Sequence, residues 1–378
     1  MAQAALVWLA GGPALRLAVG RERRFYTQTC HWNRVVSDAE LQELADGTPW
    51  RLHELVPHGK HLADLRRSRR MNTFGDGVLE KAAAEYAEQG FSIIRNVVPS
   101  DLVAEARSHV DWLTRKYPDL RPEHFHHPLI RNDAFWARLV SEPRLVDVAE
   151  FFLGPDVACF TAHYICKPPY DGQPVLWHQD GAYWTLSPME ALTVWLAVDE
   201  STAENGCLRM IPGSHELPLH KPSVRTDEPN MLFSAADETL VQEWVEKRGI
   251  VAIELQPGDV SIHHPHLLHC SKANTSAKRR CGLDIGYIST ATRLHSEGLY
   301  LDPLLVRGAD TNSLNSYRPF PAYLDGETIP FAGQGEWGDK VARLNEALPP
   351  RSRDLPDETP IETTRYMIDR LREGTVKR

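Results

Sequence analysis

Trp177-His178-Gln179-Asp180-Gly181 sets an imidazole and a carboxylate two positions apart in a run that reads as a strand. Alternate strand residues share a face, so the spacing predicts that His178 and Asp180 point the same way. Two such donors make two-thirds of a facial metal site, and one more imidazole from elsewhere would complete it. Two histidines and a carboxylate on one face, with the other positions open, form the donor set of non-haem Fe(II) oxygenases. The stretch from Gly258 to Ser271 offers His263, His264, His266 and His269 as the third donor. Spacing alone does not choose among the four. Arg279 and Arg280 follow, just before another β-rich run. His215, after Pro212-Gly213-Ser214, reads as a turn residue rather than a ligand. Tyr183 and Trp184, just past the motif, either line the mouth of a substrate site or belong to the core.

The elements that must position these groups change character along the chain. Periodic apolar residues predict helices over Val78–Tyr86, closed by Gly90, from Pro99-Ser100-Asp101 through Leu113, and over Leu145–Phe152, stopped by Gly154-Pro155. Ser37-Asp38-Ala39-Glu40 is a capping box ahead of another short helix. From about residue 157 short β-rich runs alternate with turn signals, at 157–166, 174–185, 191–199, 206–211, 250–255, 259–264 and 281–288. One helical insert around Leu240–Val245 interrupts them, ended by Gly249. Helices followed by many short strands predict a mainly β fold with flanking helices, its core a jelly roll. Beyond residue 300 the chain is Pro-rich and polar, and only Ile361–Leu371 looks helical there. The expected division is an N-terminal leader and extension (1–75), a jelly-roll domain (76–300) and a C-terminal extension packing on that core (301–378).

Composition sets limits on partners. The 378 residues are 42% hydrophobic and carry a net charge of −9, so there is no basic footprint for nucleic acid. No apolar run is long enough to span a membrane. The six cysteines are scattered without a Cys-x-x-Cys pair, which predicts reduced thiols in an intracellular compartment. A small-molecule substrate, with the chain as monomer or homodimer, is the expectation. Through residue 37 the only acidic residue is Glu22, against Arg16, Arg21, Arg23, Arg24 and Arg34. That bias resembles an organellar transit peptide, and Arg24-Phe25-Tyr26 resembles a mitochondrial processing site. The expected location is therefore mitochondrial, with a cytoplasmic protein as the alternative. The Arg66–Arg70 patch reads as a solvated basic loop.

A set of motifs in one order carries a resemblance. Lys167-Pro168-Pro169, His178-Gln179-Asp180 and Thr193-Val194-Trp195-Leu196-Ala197-Val198-Asp199 come first. Glu204-Asn205-Gly206-Cys207-Leu208, Ile211-Pro212-Gly213-Ser214-His215, Leu268-His269-Cys270-Ser271 and Arg280 follow. Together they resemble the phytanoyl-CoA dioxygenase family of Fe(II)- and 2-oxoglutarate-dependent oxygenases, over roughly residues 78 to 290. The resemblance implies a double-stranded β-helix of the cupin type. It implies His178, Asp180 and His269 as the catalytic iron ligands, with His269 in the family's Leu-His-x-Ser place. It implies Arg280 as partner of the distal carboxylate of 2-oxoglutarate, and Trp195, Ser271 and Gln179 as residues lining the co-substrate pocket. Cys270 departs from the family, which usually has Gly there.

The implied reaction uses Fe(II), 2-oxoglutarate and O2, hydroxylates an aliphatic C–H bond of a small organic substrate, and releases succinate and CO2. A guanidinium matches a carboxylate bidentately where Lys cannot, which suits Arg280 to its implied role. The carboxylate at Asp180 argues for hydroxylation over halogenation, since related halogenases have Gly or Ala there. The same ligands could serve desaturation or ring formation. A catalytically silent jelly-roll binding protein is the reading from another class, and loss of Arg280 or of a ligand would favour it.

Overall fold

The computed structural model describes residues 74–295, 302–346, 348 and 359–374. The transit-like leader, the Ser37 capping box, Cys30 and the Arg66–Arg70 patch lie outside the described residues. The described residues fall in a compact unit, Arg70–Arg378.

Helix α1 (Val78–Gln89) ends at Gly90, whose left-handed backbone (φ 84°) lets its N–H bond the Tyr86 carbonyl. Strand β1 (Phe91–Ile94) leads to α2 (Ser100–Lys116), α3 (Ala134–Val140) and α4 (Pro143–Leu153). Strands β2 (Val157–Lys167), β3 (Val175–His178), β4 (Ala191–Ala197) and β5 (Leu208–Met210) come next. Helix α5 (Glu238–Arg248) follows, its N-cap Asp237 accepting from the Leu240 N–H. Then come β6 (Val251–Ile253), β7 (Val260–His263), β8 (His269–Ser271), β9 (Arg280–Ser289) and β10 (Leu304–Arg307). Helices α6 (Gln334–Glu346) and α7 (Pro360–Arg372) close the described chain.

The strands form two antiparallel sheets, β1-β7-β4-β9-β2-β10 and β3-β8-β5-β6. Phe91, Trp195 and Ala197 of the first pack on Leu208, Met210 and Ile253 of the second. This is the jelly roll expected from the sequence. The outer face of the larger sheet, with Leu192, Val194, Leu196, Leu283, Ile285 and Tyr287, packs with Val110, Leu113, Phe135, Trp136, Leu145 and Val148 of the helices.

That packing fixes the register. A one-residue slip of β9 would move Leu283, Ile285 and Tyr287 to the inner face and bring Asp284 and Gly286 outward. Burial of such side chains is worth about 1.5–3 kcal/mol each, so the slip would cost a large part of a domain's usual stability of about 5–15 kcal/mol. The inner face of β9 therefore carries Arg280, Gly282, Asp284 and Gly286.

Two local expectations are corrected. Strand β3 stops at His178, and Asp180 opens a short 3₁₀ turn rather than continuing the strand. Gln179 keeps an extended backbone (φ −118°, ψ 125°), so the two side chains still converge. Among the described residues beyond 300 there are two helices rather than one, since Gln334–Glu346 is helical with Trp337 and Val341 buried. The C-terminal segment contributes Phe320, Phe331, Trp337, Val341 and Ile368 to the main core. Among the described residues no helix is long and apolar enough to cross a membrane, and Cys159, Cys166, Cys207, Cys270 and Cys281 are free, buried thiols.

Candidate metal centre and co-substrate pocket

Strands β3 and β8 are neighbours, and His178 is the direct cross-strand partner of His269. Their ring centroids lie 4.1 Å apart. Nε2 of His178 is 3.3 Å and Nε2 of His269 is 3.5 Å from the same oxygen of Asp180, Oδ1. One donor atom from each of the three falls within 4.8 Å of the others. Each imidazole is aimed by its far nitrogen. His178 Nδ1 sits 2.8 Å from the Leu176 carbonyl and His269 Nδ1 3.0 Å from the Leu267 carbonyl. A carbonyl only accepts, so both Nδ1 atoms carry the proton and both Nε2 lone pairs face the centre.

The second oxygen of Asp180 is held from behind. Thr193 Oγ1 donates to Oδ2 at 2.9 Å, and His263 Nε2 lies 3.1 Å from it. Burial pushes the Asp180 carboxyl up, but the surrounding imidazoles of His269, His178 and His263 outweigh it and hold the group well below the usual carboxylate range. Burial, then the neighbouring His178, keeps His269 well below the usual imidazole value, so its ring is neutral and able to ligate. Of the four imidazoles in the later stretch, His269 meets His178 across the strands while His263 braces Asp180. His264 and His266 turn aside: the His266 N–H donates to His264 Nδ1 (3.1 Å), and His266 Nδ1 donates to the Leu217 carbonyl (2.9 Å). His215 packs its ring against Gly90 and His264, away from the three donors.

Arg280 is fully buried, and among the described residues Nε, Nη1 and Nη2 have no hydrogen-bond partner. Burial pulls its pKa down to about 10. Its guanidinium lies over the Trp195 ring, 4.8 Å from the centroid. Gly282 makes room for that indole: a Cβ there would lie 1.9 Å from the ring. Arg279 faces the other way. It bonds Asp199 (2.8 and 3.2 Å) and Asp111 (2.5 Å) near the surface.

Lys167 is the residue whose role the sequence reading missed. It is the cross-strand partner of Arg280, fully buried, and donates to Ser271 Oγ (2.7 Å) and to the carbonyls of Ser271 (3.3 Å) and Lys272 (2.5 Å). Burial first, then Arg280, pushes its pKa well below the usual value. The signal in the sequence was its place at the end of an apolar strand, on the parity that faces inward. Ser271, by contrast, was expected at the pocket and does line the cavity. Gln179 is corrected. Its amide donates to the carbonyls of His266 (2.8 Å) and Pro218 (3.2 Å) and accepts from the His220 N–H (2.9 Å), so it ties loops together beside the centre.

An open cavity of about 860 Å³, counting its mouth, contains the three donors. His126, His127, Thr161, His163 and Asp284 form one wall; Tyr183, Trp184, Met231, Leu232, Met367 and Leu371 form another. Tyr183 and Trp184 thus line it, and so does Cys270, whose thiol burial pushes up to about 12.

Comparison with known proteins decides the family. The phytanoyl-CoA dioxygenase (PhyH) family model matches residues 86–282, just over half of the chain. The chain belongs to the phytanoyl-CoA dioxygenase family. Among its relatives is an ectoine dioxygenase of Sphingopyxis alaskensis, 31% identical over 42% of this chain; the match spans 55% of the relative's length. A probable alpha-ketoglutarate-dependent hypophosphite dioxygenase of Stutzerimonas stutzeri is 30% identical over 56% of this chain and 71% of its own. The solved structure of a non-heme monooxygenase, ThoJ, aligns over 76% of this chain and 99% of its own with a TM-score of 0.54 at 20% identity, a likeness of fold.

Proposed function

We propose that this member of the family is an Fe(II)- and 2-oxoglutarate-dependent dioxygenase that hydroxylates an aliphatic C–H bond of a small organic substrate, with release of succinate and CO2. The observation that carries the reading is the orphaned guanidinium of Arg280. A buried, unpaired cation is costly, and Arg280 is one among the described residues, with the hydrogen-bonded amine of Lys167 as its register partner. A dicarboxylate co-substrate offers the missing anion, and the planar guanidinium takes it bidentately. The metal fits as well. Two neutral imidazoles with outward Nε2 lone pairs and one ionised carboxylate suit Fe(II) and leave open positions for a chelating 2-oxo acid and O2.

In this reading His178, Asp180 and His269 hold the iron, and Thr193 and His263 fix the carboxylate so that Oδ1 faces it. Arg280, with Trp195 beneath it and Lys167-Ser271 beside it, receives the distal carboxylate. The bound iron and co-substrate supply the oxidative chemistry; the chain supplies orientation and an enclosed pocket. The family relationship and the donor set support this reading. Anaerobic reconstitution should give about one Fe(II) per chain and 2-oxoglutarate-dependent succinate release. Replacing only the residues that hold a ligand in place typically costs about 10- to 100-fold in metal affinity, so His269→Ala should cost about 100-fold or more. Unchanged iron binding by His269→Ala would overturn the ligand assignment.

A further inference from the structure

The inner face of β9 is polarised. Arg280 stands at one end and Asp284 four residues on, about 13 Å along a strand. The orphan cation draws the co-substrate toward Arg280, which leaves the Asp284 end for the other reactant. Asp284 borders the cavity, with one carboxylate oxygen within 4.8 Å of both a carboxylate oxygen of Asp180 and a ring nitrogen of His263. Protein surrounds it, but it keeps some open surface. Among the described residues no hydrogen bond reaches its carboxyl group, and burial, then the neighbouring Asp180, pushes its pKa well above the ordinary carboxylate range, as befits a carboxyl group without a counter-ion. An enclosed carboxyl group without a donor lacks a partner that the ligand can bring.

The rest of the wall indicates the charge of that ligand. No lysine or arginine lines the cavity among the described residues. Arg372, next to Leu371 on α7, lays its guanidinium on the Phe233 ring, 5.0 Å from the centroid, and bonds Asp369. Burial drives His126 well below its ordinary value and His163 to about 3, so neither ring carries a compensating charge. No lysine or arginine of the cavity wall would receive a carboxylate or phosphate beside Asp284. The apolar side, Met231, Leu232, Met367 and Leu371, suits a hydrocarbon portion.

We infer that Asp284 is the specificity-determining residue of this site and that the substrate class is an aliphatic amine, bound as its ammonium ion at Asp284 with its carbon chain along the Met231-Met367-Leu371 wall. This rests on the iron and 2-oxoglutarate reading above.

The test is calorimetric titration, under anaerobic conditions, of the full chain loaded with Fe(II) and 2-oxoglutarate. Hexylamine, 1-hexanol and hexanoate are the probes. Hydrogen bonds to charged groups correspond to about 10-fold or more in affinity, so hexylamine should bind at least that much tighter than either matched probe. Asp284→Asn should remove that preference and leave hexanol binding, iron content and 2-oxoglutarate affinity unchanged. Preference for hexanoate, no amine binding by the loaded protein, or amine affinity unchanged in Asp284→Asn would each overturn the inference. Loss of iron from Asp284→Asn would also overturn it, by making Asp284 a ligand. Failure of the wild type to take up iron and 2-oxoglutarate at the outset would instead defeat the underlying functional reading, so the two failures are separable.

Discussion

The two ends of the inner face of β9 are surrounded by different material. At the Arg280 end, Arg280, Lys167, Trp195 and Ser271 sit on β9, β2, β4 and β8, each strand paired on both sides. At the Asp284 end the strands still supply Asp284, His163 and Thr161, but the enclosure comes from elsewhere. His126 and His127 start a 3₁₀ segment, Tyr183 and Trp184 end another, Met231 and Leu232 sit in a loop, and Met367 and Leu371 come from the last helix. The first end lies wholly within the family match, residues 86–282, whereas Asp284, Met367 and Leu371 lie beyond it. A strand-built end is held by register and hydrogen-bond ladders. A loop-and-tail end can change its lining without moving the metal donors, and that is where substrate choice can vary within a shared chemistry.

The sharpest way to break this comparison is at the adjacent arginines. Arg280→Ala strands a buried carboxylate of the co-substrate, a loss of about 2–5 kcal/mol, or roughly 30- to several-thousand-fold in 2-oxoglutarate requirement. Iron content should stay near normal. Arg279→Ala removes a partly exposed ion pair and should shift that requirement by no more than a few fold, since such pairs are worth about 0–1 kcal/mol. Titrating 2-oxoglutarate against succinate release checks both; a crippled Arg279→Ala with an intact Arg280→Ala would put the register off by one.

Acid should strike the imidazole wall. His163 titrates near 6.5 when unfolded, and burial lowers it to about 3 in the fold, against a smaller upward pull from its bond to the Glu123 carbonyl. Between those values the unfolded state binds the extra proton, so stability falls as pH drops from 6.5 toward 3. The slope is about 1.4 kcal/mol per pH unit for each such group. Chemical denaturation of wild type and His163→Gln between pH 6 and 4.5 should show a flatter slope in the variant. Equal slopes would mean that His163 is already charged in the fold.

The smallest effect is expected where the ends should be independent. Met367→Ala enlarges the substrate end and should cost about 2 kcal/mol of stability, the low end for a buried Met because a cavity already adjoins it. The 2-oxoglutarate requirement should stay within about twofold. A tenfold change would show that the last helix supports both ends and that the division is false.

The sequence by itself determined a great deal here. Apolar alternation and turn residues specified the long strands and hence the jelly roll. Glycine stops placed the ends of α1, α4 and α5. The one-apart spacing of His178 and Asp180 kept them on one side even though the strand ended between them, because Gln179 stays extended. The conspicuous motifs marked Arg280, Trp195 and Ser271 as groups of one site.

Only the tertiary structure decided the rest. By spacing, four imidazoles within seven residues are equivalent; the Leu268-His269-Cys270-Ser271 motif singled out His269, and only its cross-strand pairing with His178 gives the physical reason. Lys167 stood only as the first residue of the Lys167-Pro168-Pro169 motif until β2 and β9 set it opposite Arg280. Gln179 was spent on the backbones of two distant loops, which no local spacing reveals. Asp284, Met367 and Leu371 line one cavity with His178, Asp180 and His269 only because distant strands pair and α7 returns to them. The physical reason is the same throughout. Periodicity reports which way a side chain points from its own strand or helix, whereas what it meets depends on long-range pairings that local spacing does not encode.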